Sequence, residues 1–171
     1  MIWQNLDTAA RRLVPSSTVF LLILIGALPV HIPHYGAVAP MLSLCGVVYW
    51  TLSRPQLMPV TIAFVLGLIQ DIVGMSPMGL HALLYVVAWA MVDQQRKFLY
   101  GRPFILLWFS FCVVVVVVQS LTWTSYALYH MAVVAAQPAL VSALLTMTAF
   151  PVVAAIAMTI DRALVSPLDE L

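Results

Sequence analysis

Charge is nearly missing from this chain. Of its 171 residues, seven are Lys or Arg and six are Asp or Glu, so charged side chains make up 8%. An average soluble domain carries roughly a quarter, and a water-exposed surface could not be covered with so few. The net charge of +1 and the lack of a basic cluster argue against nucleic acid as a partner. Cysteine is also scarce. Cys45 and Cys112 lie inside apolar runs, where they read as small buried hydrophobes in reduced form, and two thiols cannot make a metal site. No Ala-x-Ala spacing follows the first apolar run, so no cleavable signal peptide is expected. There is no Walker motif, no glycine-rich nucleotide loop, no HExxH and no acidic array of the kind metal-dependent phospholipid enzymes need. These absences predict no enzyme and no cofactor.

What is abundant is apolar sequence. Hydrophobic residues make up 64% of the chain. Runs such as Phe111 to Val118 are continuously apolar, which excludes the alternating strands of a membrane β-barrel. The pattern predicts an all-α polytopic membrane protein, a single transmembrane domain of six helices over 1–171. The expected spans are about 17–32, 36–52, 58–74, 80–92, 104–129 and 139–160, with a short interfacial helix at 2–13 that carries Trp3 at head-group level. Leu80 to Val92 is short for a full crossing at 1.5 Å per residue, which leaves open whether spans three and four traverse the bilayer or re-enter it.

The few basic residues set the orientation. Arg11 and Arg12 precede the first span, Arg54 lies between the second and third, Arg96, Lys97 and Arg102 lie between the fourth and fifth, and Arg162 follows the sixth. The connections around His31 to Gly36, Gly74 to Gly79 and His130 to Gln137 carry none. Positive loops stay in the cytoplasm, so both termini are expected there. Asp93 to Pro103 is the longest polar stretch and is expected to be the main cytoplasmic loop, with Arg96, Lys97 and Arg102 as contact candidates. Tyr49 and Trp50 beside Arg54 are expected to anchor the inner surface. Pro151 is expected to kink the sixth span.

Asp71 is the position to single out. A carboxylate at membrane depth costs about 3 kcal/mol on insertion scales. Either a partner group donates to it and fixes a helix contact, with His81 and the Gln119 stripe as donors, or it lies near enough to the surface to be hydrated. Gly67 and Gly74, one turn before and one turn after it, are expected to let a neighbouring helix approach. Trp123, Tyr126 and Tyr129 read as belt residues. The four histidines, His31, His34, His81 and His130, fall near the outer boundary but lack ligand spacing on one helix. Ser76 superficially suggests an intramembrane hydrolase, yet no base is evidently placed for it and Pro77 has no N–H to offer an oxyanion.

The central segment carries a family resemblance. Gly67, Gln70 and Asp71, followed by Ser76, Pro77, Gly79 and His81, resemble the central signature of the MreD family of bacterial rod shape-determining membrane proteins. Outside residues 67 to 82 the likeness is one of size and hydropathy, and the sparsely charged C-terminus departs from it. The resemblance implies a non-enzymatic scaffold subunit of the cell-elongation machinery, supporting rod shape and peptidoglycan synthesis through helix–helix contacts. Implied partners are MreC most directly, then MreB, RodA and its penicillin-binding transpeptidase, with the lipid bilayer around them. The architecture is also similar to the substrate-binding subunits of energy-coupling-factor transporters. That similarity supplies an alternative, a small-molecule-binding subunit of a vitamin-type transporter. On the scaffold reading, the groove formed by the Gly67 to Asp71 face and the Pro77 to Gly79 turn would receive a partner's transmembrane helix.

Overall fold

Prolines punctuate the chain, and the helices start where they fall. The computed structural model describes residues 13–28, 39–99, 101, 103–131 and 135–165. Among these residues there are six α-helices, a terminal π-helical turn and no strand. They are α1 (Val14–Gly26), α2 (Leu42–Ser53), α3 (Val60–Gly74), α4 (Leu80–Leu99), α5 (Phe104–His130) and α6 (Gln137–Ile160), followed by the turn Asp161–Val165. Pro15 and Pro138 occupy the first turns of α1 and α6, and Pro59 and Pro103 cap α3 and α5 in extended conformation. A proline at these places loses no helical hydrogen bond, because the first N–H groups of a helix are unpaired anyway.

Two helices, Phe104–Tyr129 of α5 and Gln137–Ala163 spanning α6, are long and apolar enough to cross a membrane. The apolar helices α1, α2 and α3 have 13, 12 and 15 residues. At 1.5 Å per residue these correspond to roughly 18–22 Å.

At the centre of the bundle is α2. Every residue from Ser43 to Thr51 is buried, and the helix is packed by α1, α4 and α6. A helix that is apolar all round has no solvent face to spare, so it belongs in the middle. Tyr49 and Trp50 are therefore core residues and not surface anchors, and Trp50 is fully enclosed, its indole N–H without a partner among the described residues. Around this centre, α3 and α4 pack most extensively against each other, and α5 packs on α4 and α6. The outward faces stay apolar: Phe20, Leu21 and Leu24 on α1, Phe64 and Val65 on α3, Phe109, Val113 and Val116 on α5, and Leu144 and Ile156 on α6 are exposed. Apolar surface spread over four helices suits lipid contact and not water.

One expectation changes. Helix α4 does not stop at Val92 but runs through Asp93, Gln95, Arg96 and Lys97 to Leu99. The segment expected to be a long cytoplasmic loop is thus a helical extension, and residues 100–103 alone join it to α5. Good helix formers fill 93–99 and no Gly or Pro interrupts them before Gly101. Pro151 lies inside α6, which is helical from Gln137 to Ile160. Proline cannot donate to the carbonyl four residues back, Met147, and the Trp108 indole of α5 donates to that oxygen instead at 3.1 Å. The interfacial helix at 2–13, apart from Leu13, lies outside the described residues, as do Arg11, Arg12, His31, His34, Arg102 and the side chain of His130.

Side-chain hydrogen bonds tie the ends of the bundle. Met41 donates its N–H to the Thr146 hydroxyl of α6 at 3.0 Å, and Ser142 donates to the Ala39 carbonyl at 2.8 Å. At the opposite end Arg54 Nε meets Asp161 Oδ1 at 3.1 Å, joining the end of α2 to the turn after α6. Trp89 of α4 donates to the Met58 carbonyl ahead of α3 at 2.9 Å.

Candidate functional site

The segment Gly67 to Ala82 folds into the contact between α3 and α4. Helix α3 ends at Gly74, with Met75 in the left-handed region at φ 51°. The main-chain N–H of Ser76 then closes back onto the Asp71 carbonyl at 3.1 Å. From Pro77 to Leu80 the chain makes a turn closed by Leu80 N–H to the Pro77 carbonyl at 3.1 Å. Gly79 holds the third position of that turn at φ 94°, where a side chain would be strained.

Asp71 organises the turn. It is 1% exposed. Its Oδ2 accepts the N–H of Gly79 at 2.9 Å and of Ala82 at 3.5 Å, and its Oδ1 accepts the N–H of His81 at 3.0 Å. These are the first N–H groups of α4, which no earlier turn of that helix can satisfy. A carboxylate is the best group to place there, since the helix start carries partial positive charge. The side chain of Ser76 donates to Oδ1 at 3.1 Å, and the His81 ring lies against the same oxygen with Nδ1 at 2.8 Å. The last residues of α3 thus cap α4 across a five-residue turn.

The other signature positions follow from this clamp. A Cβ built on Gly67 would lie 2.4 Å from Ala82 Cα and 2.7 Å from the His81 carbonyl oxygen. Only glycine lets the backbones of α3 and α4 come that close. Gly74 is different: a Cβ there would meet nothing nearer than the Ser76 hydroxyl at 3.7 Å, so it opens no helix contact. Gln70 turns toward α2, where its Oε1 accepts from Ser43 Oγ at 3.1 Å. The Tyr85 hydroxyl of α4 meets the same Ser43 oxygen at 2.5 Å and completes a bridge among α2, α3 and α4. The His81 and Tyr85 rings stand edge to face at 6.3 Å, joining this bridge to the Asp71 clamp.

Of the two donors the sequence offered for Asp71, His81 is the one beside it, and Ser43 and Tyr85 were not anticipated. Tyr85 is one helical turn beyond His81, a spacing that places it on the same face of α4. Ser43 gives no such signal within its apolar run. Gln119 is not part of the cluster: its amide donates to the Ala139 carbonyl of α6 at 3.2 Å. The groove expected to receive a partner helix is filled by the chain itself, because Gly67 faces Ala82 and Asp71 faces the start of α4.

The hydrolase reading needs one correction. A base does lie beside Ser76, with His81 Nδ1 3.1 Å from its hydroxyl oxygen. The arrangement still lacks what acyl transfer requires. The Ser76 hydroxyl donates to Asp71, and the Gly79 and His81 N–H groups that could hold an oxyanion point at the same carboxylate. Among the described residues no three His, Cys, Asp or Glu side chains come together as metal ligands. At the C-terminal end of α4, Arg96 lies 4.0 Å from Asp93 and Lys97 is exposed, while Arg102 is outside the described residues.

An all-helical bundle with two membrane-length helices and apolar outer faces defines a helical membrane protein. The family can then be stated. The model of the rod shape-determining protein MreD matches residues 7–160, nearly the whole chain, and the chain belongs to that family. Its members are bacterial inner-membrane proteins of the machinery that determines rod shape. Comparison with curated proteins and with solved structures gave no match.

Proposed function

We propose that this chain is a non-enzymatic scaffold subunit of the cell-elongation machinery. It supports rod shape and peptidoglycan synthesis by binding other membrane proteins, MreC most directly, with MreB, RodA and its penicillin-binding transpeptidase in the wider complex. The one-sided distribution of Arg and Lys supports six membrane-embedded helices with both termini in the cytoplasm, in the bacterial inner membrane. One observation carries the reading beyond family membership. The polar groups of the signature are engaged with one another, Asp71 by Gly79, His81 and Ser76, so the motif builds a rigid hairpin and leaves no group to react. With Gly67 and Asp71 committed inside the chain, partner contact falls to other surfaces. The cytoplasmic extension of α4, with Arg96 and Lys97 and then Arg102, is one such surface.

Depletion in the native bacterium tests the scaffold reading. Rods are expected to round up, and a tagged copy is expected to retain MreC through purification. Rods that persist on depletion, together with a small ligand carried by the purified protein in native mass spectrometry, would replace the scaffold with the alternative transporter subunit.

A further inference from the structure

We infer that the tip of the α3–α4 hairpin lies below the outer membrane surface, among the acyl chains of the outer leaflet, and not in water. The inference rests on the inside–outside orientation proposed above. Two independent observations support it.

The first is reach. Helix α3 has 15 residues from the inner connection to Gly74, and the apolar part of α4 from Leu80 to Val92 has 13. At 1.5 Å per residue both arms extend about 20–22 Å, against a hydrocarbon core of about 30 Å. Tilt only shortens that reach. The neighbouring α5 has an apolar span of 26 residues, about 39 Å, and crosses with length to spare. Measured from the same inner boundary, the hairpin stops about 8–10 Å short of the outer edge of the core.

The second is the chemistry of the tip. Backbone outside a helix survives in hydrocarbon only where its polar groups are satisfied within the protein. The N–H groups of Ser76, Gly79, Leu80, His81 and Ala82 all have partners in the chain, four of them on Asp71. The Ser76 hydroxyl and the His81 Nδ1 also turn inward to Asp71. What the tip shows outward is apolar: Met75 is 95% exposed and Met78 is 79% exposed. The turn thus encloses the N–H groups on both of its sides and presents two methionines outward. Met75 even holds the left-handed conformation at φ 51°, which costs a non-glycine residue about 1–2 kcal/mol.

Depth can be read by spin-label accessibility in liposomes that contain the full chain alone. Labels are placed singly by Met78→Cys, Val116→Cys and Gln137→Cys after Cys45→Ala and Cys112→Ala. Val116 on α5 is exposed on the apolar face, and Gln137 is exposed at the start of α6. The Met78 label is expected to collide several-fold more often with oxygen than with a nickel chelate, as the Val116 label does. Chelate access equal to that of the Gln137 label, or little access to either reagent, overturns the inference. A separate readout guards the orientation. In intact cells an impermeant maleimide is expected to modify Gln137→Cys and to spare Gln94→Cys. The reverse pattern sinks the orientation, whereas a wet Met78 label with the expected maleimide pattern sinks the buried tip alone.

Discussion

The hairpin α3–α4 and the pair α5–α6 solve the same problem, holding two helices together where no water drives them to associate, by different means. The hairpin uses short helices, a glycine contact and a carboxylate shared by the N–H groups of the turn. The α5–α6 pair uses long apolar helices and aromatic packing. Phe150 is fully buried and stacks on Phe111 with ring centroids 3.9 Å apart, and Phe104 stacks on its other side at 6.3 Å. In lipid, association depends on close packing and on hydrogen bonds, since the tails are as apolar as the side chains. The hairpin concentrates its stability in a few polar atoms at one end. The long pair spreads it along a seam. A single substitution should therefore be worse in the hairpin than in the pair.

The largest effect is expected from Asp71→Leu. It orphans the N–H groups of Gly79 and His81, buried donors that cost about 1–3 kcal/mol each when left unpaired. A loss of about 4 kcal/mol is expected in SDS-titrated unfolding, with amide exchange accelerated at Gly79, His81 and Ala82 and unchanged in α5 and α6. A loss below about 1 kcal/mol would mean that water reaches the site and replaces the carboxylate. Next comes Phe150→Ala, which empties the stack between α5 and α6 and is expected to cost about 3 kcal/mol. Its exchange pattern should be the reverse, with α5 and α6 loosened and the Gly79 and His81 amides still protected. Identical patterns for the two variants would show one cooperative bundle and erase the contrast.

The sequence made much of the hairpin legible because its chemistry is local. Asp71, Ser76, Gly79 and His81 lie within eleven residues, and a buried carboxylate beside a Pro–x–Gly turn has few ways to be satisfied. The helical character of the described segments was readable for a similar reason, since long apolar runs separated by prolines admit little else. Connections distant in sequence were not readable. Arg54 meets Asp161 across 107 positions, and Ser43 meets Tyr85 across 42, with nothing in either segment to name the other. The C-terminal end of α4 was misjudged because polar residues were read as a loop, although Gln94 to Leu99 are all competent helix formers. Trp50 was misplaced because an aromatic residue near an arginine looks like an interfacial anchor, whereas α2 is enclosed on every side.

The smallest effect sharpens the comparison most, because it asks whether the long pair also hides a polar joint. Pro151 cannot donate to Met147, and the Trp108 indole from α5 donates there instead. Trp108→Phe keeps the ring in the seam and removes only the N–H, so a loss of about 1 kcal/mol is expected. Pro151→Ala restores a main-chain donor for the Met147 carbonyl, and in that background Trp108→Phe should cost close to nothing. The double-mutant cycle therefore predicts a coupling of about 1 kcal/mol between residues 108 and 151, although the bond joins neither to the other. Independent effects would mean that the freed carbonyl did not need the indole, and that packing holds this part of the α5–α6 seam. Coupling would show that α6 tolerates a proline in its interior because α5 supplies the missing donor, the same economy by which Asp71 of α3 completes the start of α4.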